Sequence, residues 1–103
     1  MRKFLCLTAV VSFGATGALA ASADHFAGSN LSPLAKISLA QARATALAAR
    51  HGQITDQELE KEGGGTGLRY SFDIRSNGKT FEVGVDARTG KVLENKREGA
   101  NPD

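Results

Sequence analysis

The sequence has few of the residues on which redox, metal and aromatic chemistry depend. Its 103 residues include one cysteine, two histidines, two prolines, one tyrosine and no tryptophan. A single cysteine cannot form an intramolecular disulfide. The histidines, His25 and His51, lack the paired spacing of a zinc site. We therefore expect no metal site and no bound cofactor.

The motifs of common catalytic sites are also missing. The glycine run Gly63–Gly67 lacks the Lys-Ser/Thr pair of a phosphate-binding loop. Ser71 and Ser76 have no context resembling a nucleophile elbow. Asp86 precedes a Thr-Gly pair, but the alternating oxygen ligands and closing glutamate of a calcium loop are absent. We expect Asp86 to accept backbone N–H bonds inside its turn, with Gly90 at positive φ, and we predict no catalytic residues and no enzyme activity.

Charge is nearly balanced, at 13 Lys and Arg against 11 Asp and Glu. Two of the positive residues, Arg2 and Lys3, belong to the N-terminal segment, and removing them leaves 11 against 11. The remaining chain contains no block of basic residues. We therefore expect neither nucleic acid nor anionic lipid as a partner.

The N-terminus has the pattern of a secretory signal peptide. A positive start is followed by a mostly apolar run from residue 4 to residue 13 and by small residues ending in Ala18-Leu19-Ala20. We predict a signal peptide over residues 1–20, with cleavage after Ala23 as the alternative. Cys6 would leave with it. A membrane anchor is the other interpretation, but Ser12 and Gly14 interrupt a run short of the ~20 apolar residues of a span. The predicted location is periplasmic or secreted, without membrane contact after cleavage.

One helix is predicted after a flexible leader at residues 24–36, and packing is expected to begin at Ile37. Ser38 and Gln41 have the spacing of a capping box. Helix-forming residues then continue from Leu39 to His51, and Gly52 is suited to the left-handed closing position. The residues at helical spacing on one face are Leu39, Ala42, Ala46 and Ala49.

Strands fill the rest of the chain. We predict an edge strand at Ile54–Glu62, a strand at Arg69–Arg75 with period-two alternation, a third at Thr80–Asp86 and a last at Lys91–Lys96. Residues 97–103 are predicted to be a disordered tail. These elements indicate an α+β fold at residues 37–96, with one N-terminal helix packed on one face of a small antiparallel sheet of three to four strands.

The hairpin turn sets the register of the two central strands. Asn77-Gly78 accepts positive φ at both residues, as a two-residue hairpin loop requires. Counting from this loop places Ile74 opposite Phe81 on an apolar face. The other face receives the charged residues, and this is the candidate partner-binding face: Arg69, Asp73, Arg75, Glu82 and Asp86.

Asp73 and Glu82 lie opposite each other on that face, and like charges in this position repel. Either a neighbouring cation such as Arg75 relieves the repulsion, or the face docks a basic partner. The first strand, Ile54–Glu62, is a further candidate, because an edge can accept a strand from another chain. Its four acidic residues would disfavour such pairing.

The order of these segments resembles that of the PepSY domain, a module of peptidase propeptides and exported bacterial proteins. The resemblance is carried by a helix ending near Gly52, the segments Tyr70–Ile74 and Phe81–Ala87, and above all Val85–Val92. It implies an α+β fold, with one helix on an antiparallel sheet, and it does not imply an enzyme. It further implies a binding or regulatory module that restrains or assists a peptidase or another envelope protein. The alternative is a sensory or assembly accessory of a membrane system, such as a kinase or reductase.

Overall fold

A computed structural model describes residues 26–99. The predicted signal peptide and both of its cleavage positions lie outside this range. Within it, a 3₁₀ helix is followed by one α-helix and four strands, whose bounds are Ser29–Leu34 (3₁₀), Leu39–Ala49 (α1), Gln53–Lys61 (β1), Leu68–Ser76 (β2), Lys79–Asp86 (β3) and Val92–Arg97 (β4). No helix in residues 26–99 is long and apolar enough to cross a membrane.

Helix α1 begins where the capping box predicts. The Gln41 N–H donates to Ser38 Oγ at 3.0 Å, and the Ser38 N–H donates to Gln41 Oε1 at 2.8 Å. The predicted end at His51 is wrong by two residues, because Arg50 is already extended, with φ −145°. Gly52 therefore does not close the helix. Leu39, Ala42 and Ala46 are buried as expected, but Ala49 is exposed.

The sheet is an antiparallel meander in which β1, β2, β3 and β4 are neighbours in sequence order. The predicted register of the central hairpin is confirmed, with Ile74 opposite Phe81 and Asp73 opposite Glu82. Asn77 and Gly78 form the turn at φ 53° and 76°. The pairing shifts once between β1 and β2, near Thr55, and once between β3 and β4, near Leu93. Each shift is a bulge that the local sequence pattern does not predict.

Helix α1 covers one face of the sheet, which confirms the α+β architecture. Phe72, Ile74, Val83 and Val85 are fully buried beneath it. The buried Tyr70 hydroxyl donates to the carbonyl of Ile37 at 2.9 Å, and burial raises the pKa of this phenol. The complete buried core comprises Leu39, Ala42, Ala46, Leu59, Leu68, Tyr70, Phe72, Ile74, Val83, Val85 and Ala87.

Residues before Ile37 also pack on the sheet, whereas the sequence pattern indicated a leader without packing there. Phe26 and Leu31 lie against the core, and the ring centroid of Phe26 is 6.5 Å from that of Tyr70. The Leu59 N–H donates to the carbonyl of Ala27 at 2.9 Å, so this segment covers part of the outer edge of β1. The driving force is the apolar surface that the two side chains bury.

At the other end of the chain, β4 continues one residue beyond the prediction, through Arg97. The Glu98 N–H then donates to the carbonyl of Thr80 at 2.9 Å. Of the predicted tail, residues 100–103 lie outside the described range.

Candidate functional site

The sheet surface opposite helix α1, which we call the open sheet face, carries most of the negative charge of the domain. The alternation of the four strands places seven carboxylates there, and Glu62 follows directly after β1 beside Glu60. The seven are Asp56, Glu58, Glu60, Asp73, Glu82, Glu94 and Glu98. The ninth carboxylate of residues 26–99, Asp86, is buried at the end of β3.

Three cations share this face, and two of them are engaged with one acid. Arg69 Nη1 and Lys96 Nζ each lie 3.1 Å from the carboxylate of Glu94. Arg75 Nη1 makes a long contact of 3.4 Å with the Thr80 hydroxyl. Within residues 26–99 no other ion pair forms on this face, so six of its seven carboxylates have no cation within 4.0 Å.

Three acids form a continuous row across the open sheet face. Register places Asp56 beside Asp73, and Asp73 beside Glu82. Burial raises the pKa of Asp73, and the charges of Glu98 and Asp56 raise it further. Burial likewise raises the pKa of Glu82, with Glu94, Asp73 and Glu98 adding to the effect and Lys96 offsetting part of it.

Two cations flank the Asp73–Glu82 pair: Lys96, opposite Glu82, offsets part of the repulsion, and Arg75 is the other. Arg75 bonds to Thr80 and forms no ion pair with either acid among the described residues. The repulsion that Arg75 was expected to relieve therefore persists in the structure.

Asp86 does not belong to the exposed surface, which corrects its place in the predicted partner-binding face. Its side chain is 1% exposed. Oδ1 accepts from the Arg88 and Thr89 N–H groups at 2.8 and 3.0 Å and from the Thr66 hydroxyl at 2.9 Å, while Oδ2 accepts from the Thr66 N–H at 2.7 Å. Burial alone would raise the pKa of Asp86, but these hydrogen bonds outweigh it and hold the pKa well below its ordinary value. The expected turn-capping role is confirmed.

The same carboxylate explains the glycine-rich loop. Gly65 has φ +57°, and a Cβ at this position would lie 2.2 Å from Asp86 Oδ2. The loop between β1 and β2 therefore closes against the turn after β3, and Arg88 Nη1 strengthens the junction by donating to the Thr66 carbonyl at 2.9 Å. The glycine run is a structural element, consistent with the absence of a phosphate-loop motif.

Arg69 is the second predicted face residue that is buried, at 7% exposure. Its guanidinium crosses β3 above Gly84 to reach Glu94, and Nη2 donates to the carbonyl of Gly63 at 3.0 Å. A Cβ on Gly84 would lie 3.0 Å from Arg69 Nη1. A glycine inside a strand indicates such a close approach, and this signal was available in the sequence. Of the predicted set, Asp73, Arg75 and Glu82 remain accessible to a partner.

The edge of β1, the alternative site, is protected by more than its acidic residues. The carbonyl of Ala27 accepts a hydrogen bond from the Leu59 N–H, and the Asp56 carboxylate accepts one from the Gln57 N–H at 3.0 Å. A bulge interrupts the strand near Thr55. Bulges, charges and covering segments are the usual means by which proteins prevent strand addition at an edge.

Between this edge, helix α1 and the N-terminal segment lies an open cleft of about 340 Å³. Phe26 and Ile54 contribute apolar surface to it, and the Arg43 side chain donates to Gln57 Oε1 at its border. The arrangement offers neither a nucleophile–base pair nor a metal cluster. Across residues 26–99, no group of three or more His, Cys, Asp or Glu side chains could hold a metal ion. His51 is exposed beyond the helix, and His25 lies outside the described residues.

Fold and site together define a small α+β module with a charged sheet surface. Residues 36–96 match the family model described as "Peptidase propeptide and YPEB domain". No curated protein and no solved structure matches the chain. Because the family match spans more than half of the chain, the protein belongs to the PepSY family, as its sequence pattern predicts. This family of propeptide-like regulatory domains is compatible with a regulatory role that involves no catalysis.

Proposed function

We propose that the protein is an exported, non-enzymatic regulatory module that binds a peptidase or another envelope protein through its open sheet face. One observation carries the proposal. Seven carboxylates lie on the face that helix α1 leaves uncovered, and six of them have no cation partner within residues 26–99. Complementary charge favours fast and selective association, so the partner surface is expected to be cationic.

The repulsion within the Asp56–Asp73–Glu82 row supports a binding role. A like-charge pair directly across a sheet destabilises the fold by a few tenths of a kcal/mol to ~1 kcal/mol. A cationic partner would remove that cost on binding, so its affinity for the face would include the relief of the repulsion. The exported location rests on the N-terminal charge and apolar pattern, and the regulatory role rests on the family.

Affinity capture from an envelope fraction tests the proposal. The bait is the wild-type protein, compared with Asp73→Asn/Glu82→Gln, a nearly isosteric change that neutralises the centre of the row. The control is Lys36→Gln/Lys91→Gln, which also changes two charges but outside the open sheet face. We expect wild type and control to retain the same partner and the neutralised variant to lose it.

The identity of the retained protein separates the two functional classes. A peptidase supports the leading form of the proposal, whereas a sensor kinase or membrane reductase supports the accessory form. Equal retention of the partner by all three baits would show that the open sheet face does not bind it. Hydrolytic turnover by the purified protein would contradict its non-enzymatic character.

A further inference from the structure

Positive charge is segregated as strongly as negative charge. Of the 11 Lys and Arg residues in residues 26–99, eight lie off the open sheet face, and none of these eight forms an ion pair there with a carboxylate. They are Lys36, Arg43, Arg50, Lys61, Lys79, Arg88, Lys91 and Arg97. The near-neutral composition therefore combines an acidic sheet face with cations that lie mostly elsewhere on the domain.

Three of these cations surround one aromatic ring at the end of the sheet beyond helix α1. Arg97 is the register partner of Phe81, and Lys79 shares its side of β3. The guanidinium of Arg50 lies 3.8 Å from the centre of the half-buried Phe81 ring. We call this group of four residues, Arg50, Lys79, Phe81 and Arg97, the cationic end.

Arg50 is held in place before any partner arrives. Its Nε donates to Asn95 Oδ1 at 3.2 Å, and the Asn95 amide donates to the Ala49 carbonyl at 3.2 Å. The cation–π contact with the Phe81 ring also holds the guanidinium near the ring. A positioned arginine loses less conformational entropy on binding a carboxylate than a free one does.

The other two cations border a concave surface. Lys79 and Arg97 are exposed and line an open cleft of about 240 Å³ together with Gly78, Thr80 and Gly99. Glu98 also lines it, but its carboxylate forms no ion pair with Lys79 or Arg97. The cleft thus presents two cations that have no ion-pair partner among the described residues.

We propose that the cationic end binds an acidic peptide segment of a partner protein, with a carboxylate in the cleft between Lys79 and Arg97 and a neighbouring acidic residue against Arg50. A discrete carboxylate fits the concave site, whereas a flat anionic bilayer would contact protruding cations in preference to a cleft. The three cations of this surface lie off the open sheet face, which the cleft adjoins at Thr80 and Glu98, so a PepSY domain of this kind can contact two oppositely charged segments.

The test uses a fluorescein-labelled synthetic peptide in which glutamate alternates with serine, and a matched peptide with glutamine in place of glutamate. Fluorescence anisotropy of the purified protein should detect the first peptide and not the second. Lys79→Gln/Arg97→Gln should weaken binding about tenfold, because each exposed charge contact contributes modestly. Both residues are exposed, so an unchanged melting temperature should accompany the loss.

Two further variants separate this proposal from its alternatives. Lys36→Gln/Lys91→Gln has the same net charge as the first variant, and it should bind the glutamate peptide like wild type. Asp73→Asn/Glu82→Gln, which tests the open sheet face, should retain peptide binding, so the two proposals can fail separately. If Lys79→Gln/Arg97→Gln and Lys36→Gln/Lys91→Gln weakened peptide binding equally, the attraction would be a diffuse effect of net charge. That result would overturn the proposal. It would also be overturned by Lys79- and Arg97-dependent binding to phosphatidylglycerol vesicles or inorganic phosphate without binding to the glutamate peptide.

Discussion

Replacing Asp86 with asparagine should destabilise the domain strongly although the two side chains have nearly the same shape. The carboxylate is 1% exposed and accepts four hydrogen bonds, two through Thr66 and one each from the Arg88 and Thr89 N–H groups. Asparagine keeps one acceptor oxygen but places an NH₂ group against at least one of these donors. Hydrogen bonds to a charged group contribute about 1.5–3 kcal/mol each, and their losses are not additive. We expect a loss of about 2–4 kcal/mol, a large part of the stability of a domain this small.

Urea denaturation of wild type and Asp86→Asn measures this loss, with Asp56→Asn as the control for an exposed carboxylate on the same sheet. The pH dependence is a second test. The pKa of Asp86 in the folded state lies below its ordinary value of 3.8, so the stabilisation by this carboxylate is present above that pH and is lost as the pH falls further. The difference in the free energy of unfolding between wild type and Asp86→Asn should therefore become smaller in strong acid. A variant as stable as wild type at neutral pH would refute the role assigned to the turn.

Three further predictions concern the core, the loop and the acidic row. Phe72→Ala should cost about 3–5 kcal/mol in urea denaturation because the ring is fully buried, whereas Asp73→Ala should not unfold the domain; the reverse would place the register off by one. Gly65→Ala should lower the melting temperature, since its Cβ would meet Asp86 Oδ2 at 2.2 Å; an unchanged melting temperature would show that the loop is not held there. Asp73→Asn/Glu82→Gln should stabilise the domain at neutral pH by up to ~1 kcal/mol. Because the fold raises the pKa of both carboxyls, this gain should vanish as the pH falls below their ordinary values, 3.8 for Asp73 and 4.5 for Glu82. A gain that persists in acid would exclude charge repulsion as its cause.

The features predicted correctly from the sequence depend on residues close together in the chain. The capping box sets the start of α1, and Asn77-Gly78 sets the hairpin register that divides apolar from charged residues. Asp86 was assigned its turn role for the same reason, because Arg88 and Thr89 are its near neighbours. What local patterns could not supply was Thr66, which is distant in sequence and donates two of the four hydrogen bonds.

Long-range contacts account for the remaining differences. The burial of Arg69 depends on Glu94 in β4 and on the space above Gly84 in β3. Both strands meet Arg69 only in the folded sheet. Packing of Phe26 beside Tyr70 likewise depends on the completed β1 edge. The segregation of charge could be read from the strand alternation only once β1 and β4 had been placed in register across their bulges.

The central claim is that the open sheet face contacts the partner, and site-specific photo-crosslinking in the cell envelope tests it most directly. A photo-crosslinking amino acid is placed at Glu58 or Arg75, which flank the acidic row on the open sheet face, and at Ala40 or Ala44 on the exposed side of helix α1. We predict a crosslinked protein of one mass from both sheet positions and none from the helix positions. A product that forms from the helix positions and not from the sheet positions would contradict the account.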